Sequence, residues 1–187
     1  MVIEKGFWPF RTAQIILDDD AAHVYAQKKG YGRIVAITRT KLDLPVFSTK
    51  EKPTVVIDLT RSEEEIFTSM SYENRHKIRK SEQDGNLAFK AGDSDFEKAY
   101  ALYLSFEKAR GSRPFPRSYF SKSVLFSCSI AGEMIAAIFV DMSKPHLRVR
   151  YIFSKRLGVG DKEEYRRINI ASRRLVWEVC KWGKSNG

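Results

Sequence analysis

The sequence of 187 residues has little of what many catalytic centres need. It contains two cysteines and three histidines, and neither cysteine belongs to a Cys-x-x-Cys pair. No Gly-x-Ser-x-Gly, His-Glu-x-x-His or EF-hand pattern occurs, and no histidine stands beside a serine or cysteine motif. We therefore expect no metal site, and we interpret Cys128 and Cys180 as buried thiols of a reducing compartment. The three consecutive acids at 18–20 indicate a solvated turn.

Long apolar runs are also missing. No stretch approaches the roughly 20 apolar residues that a membrane-spanning helix needs, and the first residues show no apolar core followed by a small-residue cleavage site. The sequence thus predicts a protein of the cytoplasm, where it is either free or attached to the inner face of the membrane. Cations are abundant instead: 33 Lys and Arg against 23 Asp and Glu give a net charge of +10, which favours polyanionic partners.

The hydrophobic pattern predicts a single folded domain over residues 1–187 with a β-rich first part, residues 1–50. Hydrophobic residues make up 43% of the chain and aromatic residues 12%, which suits a packed core. Residues 13–17 are predicted to form a strand, and residues 23–27 and 32–39 a hairpin that turns at 29–32. Residues 54–59 are rich in β-branched residues, and Val55, Val56 and Ile57 leave no polar face, which predicts a central strand.

Helices and a meander follow. Thr60 and Glu63 suit a capping box, Ser71 suits the cap of a second helix that stops near Gly85, and residues 86–91 suit a strand. Asp93 or Ser94 would cap a helix with an apolar stripe at Phe96, Ala99, Tyr100, Tyr103 and Phe106. Three antiparallel strands at 123–130, 133–142 and 146–155 and a long closing helix complete an α+β arrangement, with helices on both faces of a largely antiparallel sheet.

The second helix is strongly basic. Arg75 and Arg79 lie four residues apart and therefore share a face, and Lys80 lies near it. One interpretation is that these three side chains contact a phosphate or carboxylate. The other is a solvated face whose charge is relieved by the acids Glu73, Glu82 and Asp84.

Three further features are candidates for chemistry. Arg148 and Arg150 share one face of a strand and are either anion contacts or solvated. Tyr151 could donate a proton near the centre of the sheet, although its alternation with Val149 and Phe153 favours a core position.

The third feature is the segment KRLGVG, with Lys155, Gly158 and Gly160, which follows a strand and precedes a helix. Its glycines could expose amides to a pyrophosphate, and it is similar to the acyl-CoA loop of GNAT acetyltransferases. A plain turn is the alternative, because acids follow at once.

The segment TVVIDLTRSEEEIFTSMSYENRHKIRKSEQDGNLAF resembles the FemAB-like branch of GNAT-like transferases. There a strand ending in Asp-Leu-Ser/Thr precedes a helix that opens with Ser-Glu-Glu-Glu, and Arg-x-x-Ile-Arg-Lys follows. The segments DFEKAYALYLSFEKARG, GEMIAAIFV and ASRRLVWEVCKWGKSNG continue the resemblance, in order, to Gly187. Ser172 and Val176 depart from the asparagine and histidine usual in the family, and residues 1–50 match only loosely.

This resemblance implies a GNAT-like fold and acyl transfer to an amine. The donor would be aminoacyl-tRNA or acyl-CoA as a cosubstrate, with no tightly bound cofactor. The acceptor would be an anionic or nucleotide-linked precursor of peptidoglycan or a polysaccharide, so the protein would serve cell wall biogenesis. The amine attacks an already activated ester or thioester, which explains why no nucleophile and base pair is visible.

Two alternatives remain open, a non-catalytic RNA-binding module and an acyl-CoA-dependent N-acetyltransferase. In the family, a further strand begins where this chain ends at Gly187. The resemblance therefore implies that the closing strands of the domain are absent and that an open sheet edge is left. Such an edge favours a homodimer.

Overall fold

A computed structural model describes residues 1–7, 9–44, 48, 50 and 55–186. The chain forms two compact units. The first comprises Met1–Val56 together with Met142–His146, and the second comprises Ile57–Asp141 and Leu147–Gly187. Each unit is described by itself below.

The first unit contains a small sheet and one helix: β1 (Val2–Lys5), β2 (Thr12–Ile16), α1 (Asp19–Ala26) and β3 (Arg33–Ile37). The order is β1-β2-β3, with β1 antiparallel and β3 parallel to β2. Its core is small and aliphatic, with Ile3, Ala13, Ile15, Ile16 and Ala22 buried. The strand predicted at 13–17 is confirmed as β2.

The predicted hairpin over residues 23–39 is wrong, because its first arm is the helix α1. Asp18 is the N-cap and accepts a hydrogen bond from the amide of Ala21 at 3.0 Å, and Asp19 and Asp20 occupy the first turn. Carboxylates at this position satisfy free amides and suit the positive end of the helix. The second arm, β3, then returns parallel to β2, as a helical crossover requires.

The central strand predicted at 54–59 is wrong for the residues that the structure describes, 55–59; Thr54 lies outside them. These residues are not in a strand, and Val55 and Val56 are 89% and 83% exposed. β-propensity depends on a neighbouring strand and on burial of the side chain, and neither is provided here. The capping box also lies two residues later than predicted, between Ser62 and Glu65.

The second unit is a four-stranded sheet with four α-helices within residues 57–186. Its elements are α2 (Glu63–Ser69), α3 (Tyr72–Gln83), β4 (Leu87–Ala91), α4 (Phe96–Ala109), β5 (Val124–Ile130), β6 (Glu133–Ser143), β7 (His146–Ser154) and α5 (Lys162–Asn186). The order is β4-β5-β6-β7, and the β4/β5 and β5/β6 pairs are antiparallel. The predicted α+β class is confirmed. Homodimerisation through an edge strand stays a prediction.

Helices cover both faces of this sheet. Ile168, Ala171 and Leu175 of α5 pack with Phe126 and Ile138 on one face. On the other, Ala99 and Tyr103 of α4 pack with Phe120, Phe139 and Phe153. The predicted aromatic stripe is therefore core. A smaller cluster joins α2, α3 and α5 through Ile66, Ile78, Trp177 and Cys180.

The cap predicted for α4 is wrong. Asp95 is the N-cap residue and makes no side-chain capping bond. Asp93 instead accepts hydrogen bonds from the Asp95 amide at 3.0 Å and from the buried hydroxyl of Ser127. The Asp93 carboxylate thus pairs with the hydroxyl of Ser127 inside the sheet. A buried hydroxyl without a hydrogen bond costs more free energy than an exposed helix end without a cap, because water can reach the helix end.

Gly183 lies where α5 passes close to two leucine side chains of the second unit. A Cβ atom there would collide with Cδ1 of Leu147 and stand 2.8 Å from Cδ1 of Leu59. We expect Gly183→Ala to lower the free energy of unfolding by about 1 kcal/mol, because the two leucine ends must shift and this overpacking outweighs the gain in helix propensity; urea denaturation measures the change. Gly158→Ala is the control, because no atom lies within 4 Å of its Cβ position. Equal stability of both variants would contradict this packing.

Candidate functional site

Arg75, the first candidate of the basic helix, is used within the fold. Its Nη1 donates to the carbonyl oxygens of Thr68 at 2.6 Å and Met70 at 2.7 Å. These carbonyls belong to the end of α2, where no following helical turn supplies amides to donate hydrogen bonds to them. The sequence correctly predicts a helix with a cation at this position, and the structure gives that cation an intramolecular partner.

Arg79 and Lys80 are both exposed. The guanidinium carbon of Arg79 lies 5.4 Å from the ring centroid of Phe67, which suits a cation–π contact. Ile78, which precedes them in α3, is buried in the cluster with Ile66 and Trp177. Anion binding by Arg79 and Lys80 stays a prediction.

The KRLGVG segment begins with one short 3₁₀ turn, Lys155–Gly158, just before α5. Lys155 pairs with Glu133. The start of α5 already receives a carboxylate, since Oδ1 of Asp161 accepts from the amide of Glu164 at 2.7 Å. The role of Lys155, Gly158 and Gly160 in holding a donor stays a prediction, and the Asp161 carboxylate would repel a phosphate there.

The two arginines of β7 converge on one carboxylate, that of Asp141 at the end of β6. Arg150 Nε lies 2.6 Å from Oδ2, and Ser123 donates to Oδ1 at 2.9 Å. The side chains of Asp141 and Arg150 are 1% and 2% exposed, and the guanidinium of Arg150 lies 4.3 Å from the ring centroid of Tyr119. Arg150 is thus part of a buried ion pair.

Arg148 differs from Arg150 in what it can still bind. Its Nη1 lies 3.9 Å from Asp141 Oδ2, beyond hydrogen-bond distance, and its side chain is 34% exposed. Within residues 55–186, this buried nitrogen has no hydrogen-bond partner. One carboxylate does not neutralise two guanidiniums, so this cluster has a net positive charge, and Arg148 is its more exposed cation.

A second polar cluster joins β7 to α4. The Tyr151 hydroxyl donates to Glu107 Oε1 at 2.7 Å. Arg110 Nη1 lies 3.4 Å from the Tyr151 oxygen and 3.5 Å from the same Glu107 oxygen. The Glu107 side chain is 3% exposed and that of Arg110 is 47% exposed. A buried carboxylate therefore contacts a phenol, which in turn contacts a partly solvated guanidinium.

Aromatic rings hold Tyr151 in place. The ring of Tyr103 packs edge-on against that of Tyr151 at 5.1 Å between centroids, and the Tyr103 hydroxyl accepts from the amide of Phe115 at 2.8 Å. Burial, and then the hydrogen bond to Glu107, raise the pKa of Tyr151 to about 12. The phenol therefore keeps its proton at neutral pH. The packed ring is the core position considered from the sequence, and proton donation by Tyr151 stays a prediction.

Sequence reasoning missed Glu107 and Asp141. Glu107 looks like one more charge of a solvated helix face, but it lies four residues after Tyr103 and hence on the apolar stripe of α4. Asp141 ends an otherwise apolar run in β6. In both cases the available signal was an acid at a position where the period of the element predicts burial.

The other reactive groups offer less. Burial raises the pKa of the Cys128 thiol to about 12, so this cysteine is not a nucleophile at neutral pH. No group of three histidine, cysteine or acidic side chains that could hold a metal ion occurs in the part of the chain that the structure describes.

No protein-family model matches this chain, and no curated protein is significantly similar to it. Among the described residues, no helix is both long enough and apolar enough to cross a membrane.

Proposed function

We propose that this chain is an N-acyltransferase of the GNAT-like, FemAB-like kind. It would transfer an acyl or aminoacyl group from an activated ester or thioester to an amine of a cell-wall or polysaccharide precursor. The observation that carries the proposal is the Tyr151 hydroxyl, held 2.7 Å from the buried carboxylate of Glu107. The resemblance adds support from α2 to α5, where helices and antiparallel strands follow the order that it implies, although residues 55–59 do not form the strand that it places before α2.

Glu107 and Tyr151 would remove the proton of the attacking amine. The amine nitrogen forms a bond to the carbonyl carbon of the donor, and the bond from that carbon to the leaving oxygen or sulfur breaks. The amine proton passes to the Tyr151 oxygen while the phenol proton passes to Glu107. The leaving group departs as an alkoxide or thiolate and takes up a proton from water, and Glu107 releases its proton to water after product release. Such acid–base assistance contributes about 100-fold or more to a rate.

Arg148 would hold an anionic group of the acceptor. Its side chain is 34% exposed, and it shares the single carboxylate of Asp141 with Arg150. A carboxylate or phosphate of the acceptor would gain a charge-assisted hydrogen bond from the exposed part of Arg148.

The experiment is a transfer assay with the full chain. It is incubated with tRNA carrying labelled amino acids, or with acetyl-CoA, together with a nucleotide-linked peptidoglycan precursor whose peptide has a free amine. We expect the acceptor mass to increase by one acyl or aminoacyl group, detected by mass spectrometry. No transfer from either donor class, with uncharged RNA retained on filters and released steeply by salt, would contradict the proposal and support the RNA-binding alternative.

A further inference from the structure

Two phenylalanines stand exposed at one end of the small sheet in the first unit. Phe7 and Phe10 belong to the connection between β1 and β2 and are 74% and 71% exposed. Their ring centroids lie 6.2 Å apart, with the ring planes 84° from parallel. Two large apolar side chains side by side in water are costly, and a loop that displays them is a candidate contact surface.

The backbone of this connection is closely packed. A Cβ at Gly6 would lie 2.6 Å from the carbonyl oxygen of Phe10, and one at Gly32 would lie 2.8 Å from that of Pro9. The Gly32 amide also donates to the Arg11 carbonyl at 2.8 Å. Only glycine permits these approaches, so the fold fixes the backbone at Gly6 and at residues 9–11 while leaving both phenylalanine rings in solvent.

Cations gather at the same end of the sheet. β1 ends here, β2 and β3 begin here, and the chain after α1 returns here. This end carries five cationic side chains, those of Lys5, Arg11, Lys28, Lys29 and Arg33, of which Arg11 forms an ion pair with Glu4. The acids Asp18, Asp19 and Asp20 lie at the opposite end, where α1 begins. The unit is therefore polarised, with its exposed rings on the positive side.

Among the residues that the structure describes at this end, the two tyrosine rings, Tyr25 and Tyr31, are already covered. The Lys28 ammonium lies 3.9 Å from the centroid of Tyr25, and the Arg11 guanidinium lies 4.7 Å from that of Tyr31. Both phenols bind Glu4. Single-stranded nucleic acids need a row of free ring faces on which successive bases stack. The perpendicular Phe7 and Phe10 do not form such a row, so the arrangement favours a lipid bilayer over a nucleic acid.

We propose that the Phe7–Phe10 connection is a membrane-binding tip that docks this protein on a bilayer with anionic headgroups. The two rings enter the boundary between headgroups and acyl chains, and the cations around them stay at the level of the phosphates. This mode of attachment is peripheral and requires no spanning helix. The inference is independent of the acyltransferase proposal, since it concerns residues of the first unit alone.

The test is sedimentation of the full chain with vesicles of phosphatidylcholine, either alone or mixed with phosphatidylglycerol. We expect binding to the mixed vesicles that salt weakens. The double substitution Phe7→Ala/Phe10→Ala should weaken it about tenfold or more, because binding scales with the apolar area inserted. Lys28→Gln and Lys29→Gln should each weaken it about fivefold. Leu157→Ala, which removes an exposed apolar side chain of the second unit, should leave binding unchanged.

The comparison requires that all variants remain folded. We expect them to do so because the substituted side chains are exposed, and circular dichroism melting curves check their stability. The proposal is overturned if the chain does not sediment with mixed vesicles, or if Phe7→Ala/Phe10→Ala binds them as well as the unchanged protein. It is also overturned if an RNA oligonucleotide binds with the same dependence on Phe7 and Phe10 while vesicles do not.

Discussion

Replacing Asp141 with alanine is expected to lower the free energy of unfolding by about 3–5 kcal/mol, because the substitution leaves a buried charge without its partner. The guanidinium of Arg150 is 2% exposed and lies 2.6 Å from Asp141. Without the carboxylate, the buried guanidinium of Arg150 would still lack hydration by water and would no longer have the ion pair that offsets this cost. Arg148 would also lose its nearest anion, and Ser123 its acceptor. Urea denaturation followed by circular dichroism measures the change.

The matched control is Asp95→Ala, which removes an ion pair of 2.5 Å to Lys98 on the surface, where the lysine is 63% exposed. Exposed pairs contribute about 0–1 kcal/mol, so this variant should be nearly as stable as the unchanged protein. Adding Arg150→Met to Asp141→Ala should restore part of the loss, because the uncompensated charge is then gone. A loss below about 1 kcal/mol for Asp141→Ala would mean that water reaches Arg150.

Replacing Tyr151 with phenylalanine is expected to reduce the kcat of acyl transfer about 100-fold while leaving KM within a factor of about two. The substitution keeps the ring, which packs against Tyr103, and removes only the hydroxyl that links Glu107 to the substrate. Tyr119→Phe is the control, because that ring stacks on Phe115 at 4.3 Å in the same aromatic cluster. An unchanged kcat for Tyr151→Phe would show that the cluster is structural.

The pH dependence of kcat follows from the state of the phenol. Relay through Tyr151 needs the protonated phenol, which an ordinary tyrosine loses near pH 10. Because burial and Glu107 raise the pKa of Tyr151 to about 12, the protonated form persists as the pH rises through 10 and is lost only around 12. We therefore expect kcat to show no decline around pH 10, where Tyr151 of an unfolded chain would titrate.

The elements of the second unit could largely be predicted from the sequence, because its periods are clear. Ser71 caps α3 as predicted, Gly85 follows its end, and the stripe of α4 is core. The errors arose where a local preference lacked its tertiary partner. Val55 and Val56 favour a strand but have no neighbouring strand among the described residues, and the acids at 18–20 look like a turn although they open α1.

The candidate site was less predictable, since the sequence does not say which charges find partners inside the fold. Arg75 is interpreted from the sequence as an anion contact or a solvated residue, and the structure adds a third partner, the last carbonyls of α2. Arg150 is interpreted in the same two ways, and its side chain is buried on Asp141. Tyr151 was a candidate with an alternative core role, and Glu107, which gives its hydroxyl a partner, lies 44 positions away. The contact between Tyr151 and Glu107 depends on how β7 packs against α4. The strand pattern of β7 and the helix pattern of α4 do not specify that packing.

The relay from amine through Tyr151 to Glu107 is tested most directly by a double-mutant cycle on kcat with Tyr151→Phe, Glu107→Gln and both together. When two groups act as one unit, removing either group lowers kcat as much as removing both. We expect each single variant and the double variant to transfer the acyl group about 100-fold more slowly than the unchanged protein. Losses that multiply to about 10,000-fold in the double variant would contradict a shared proton path, and so would full activity in either single variant.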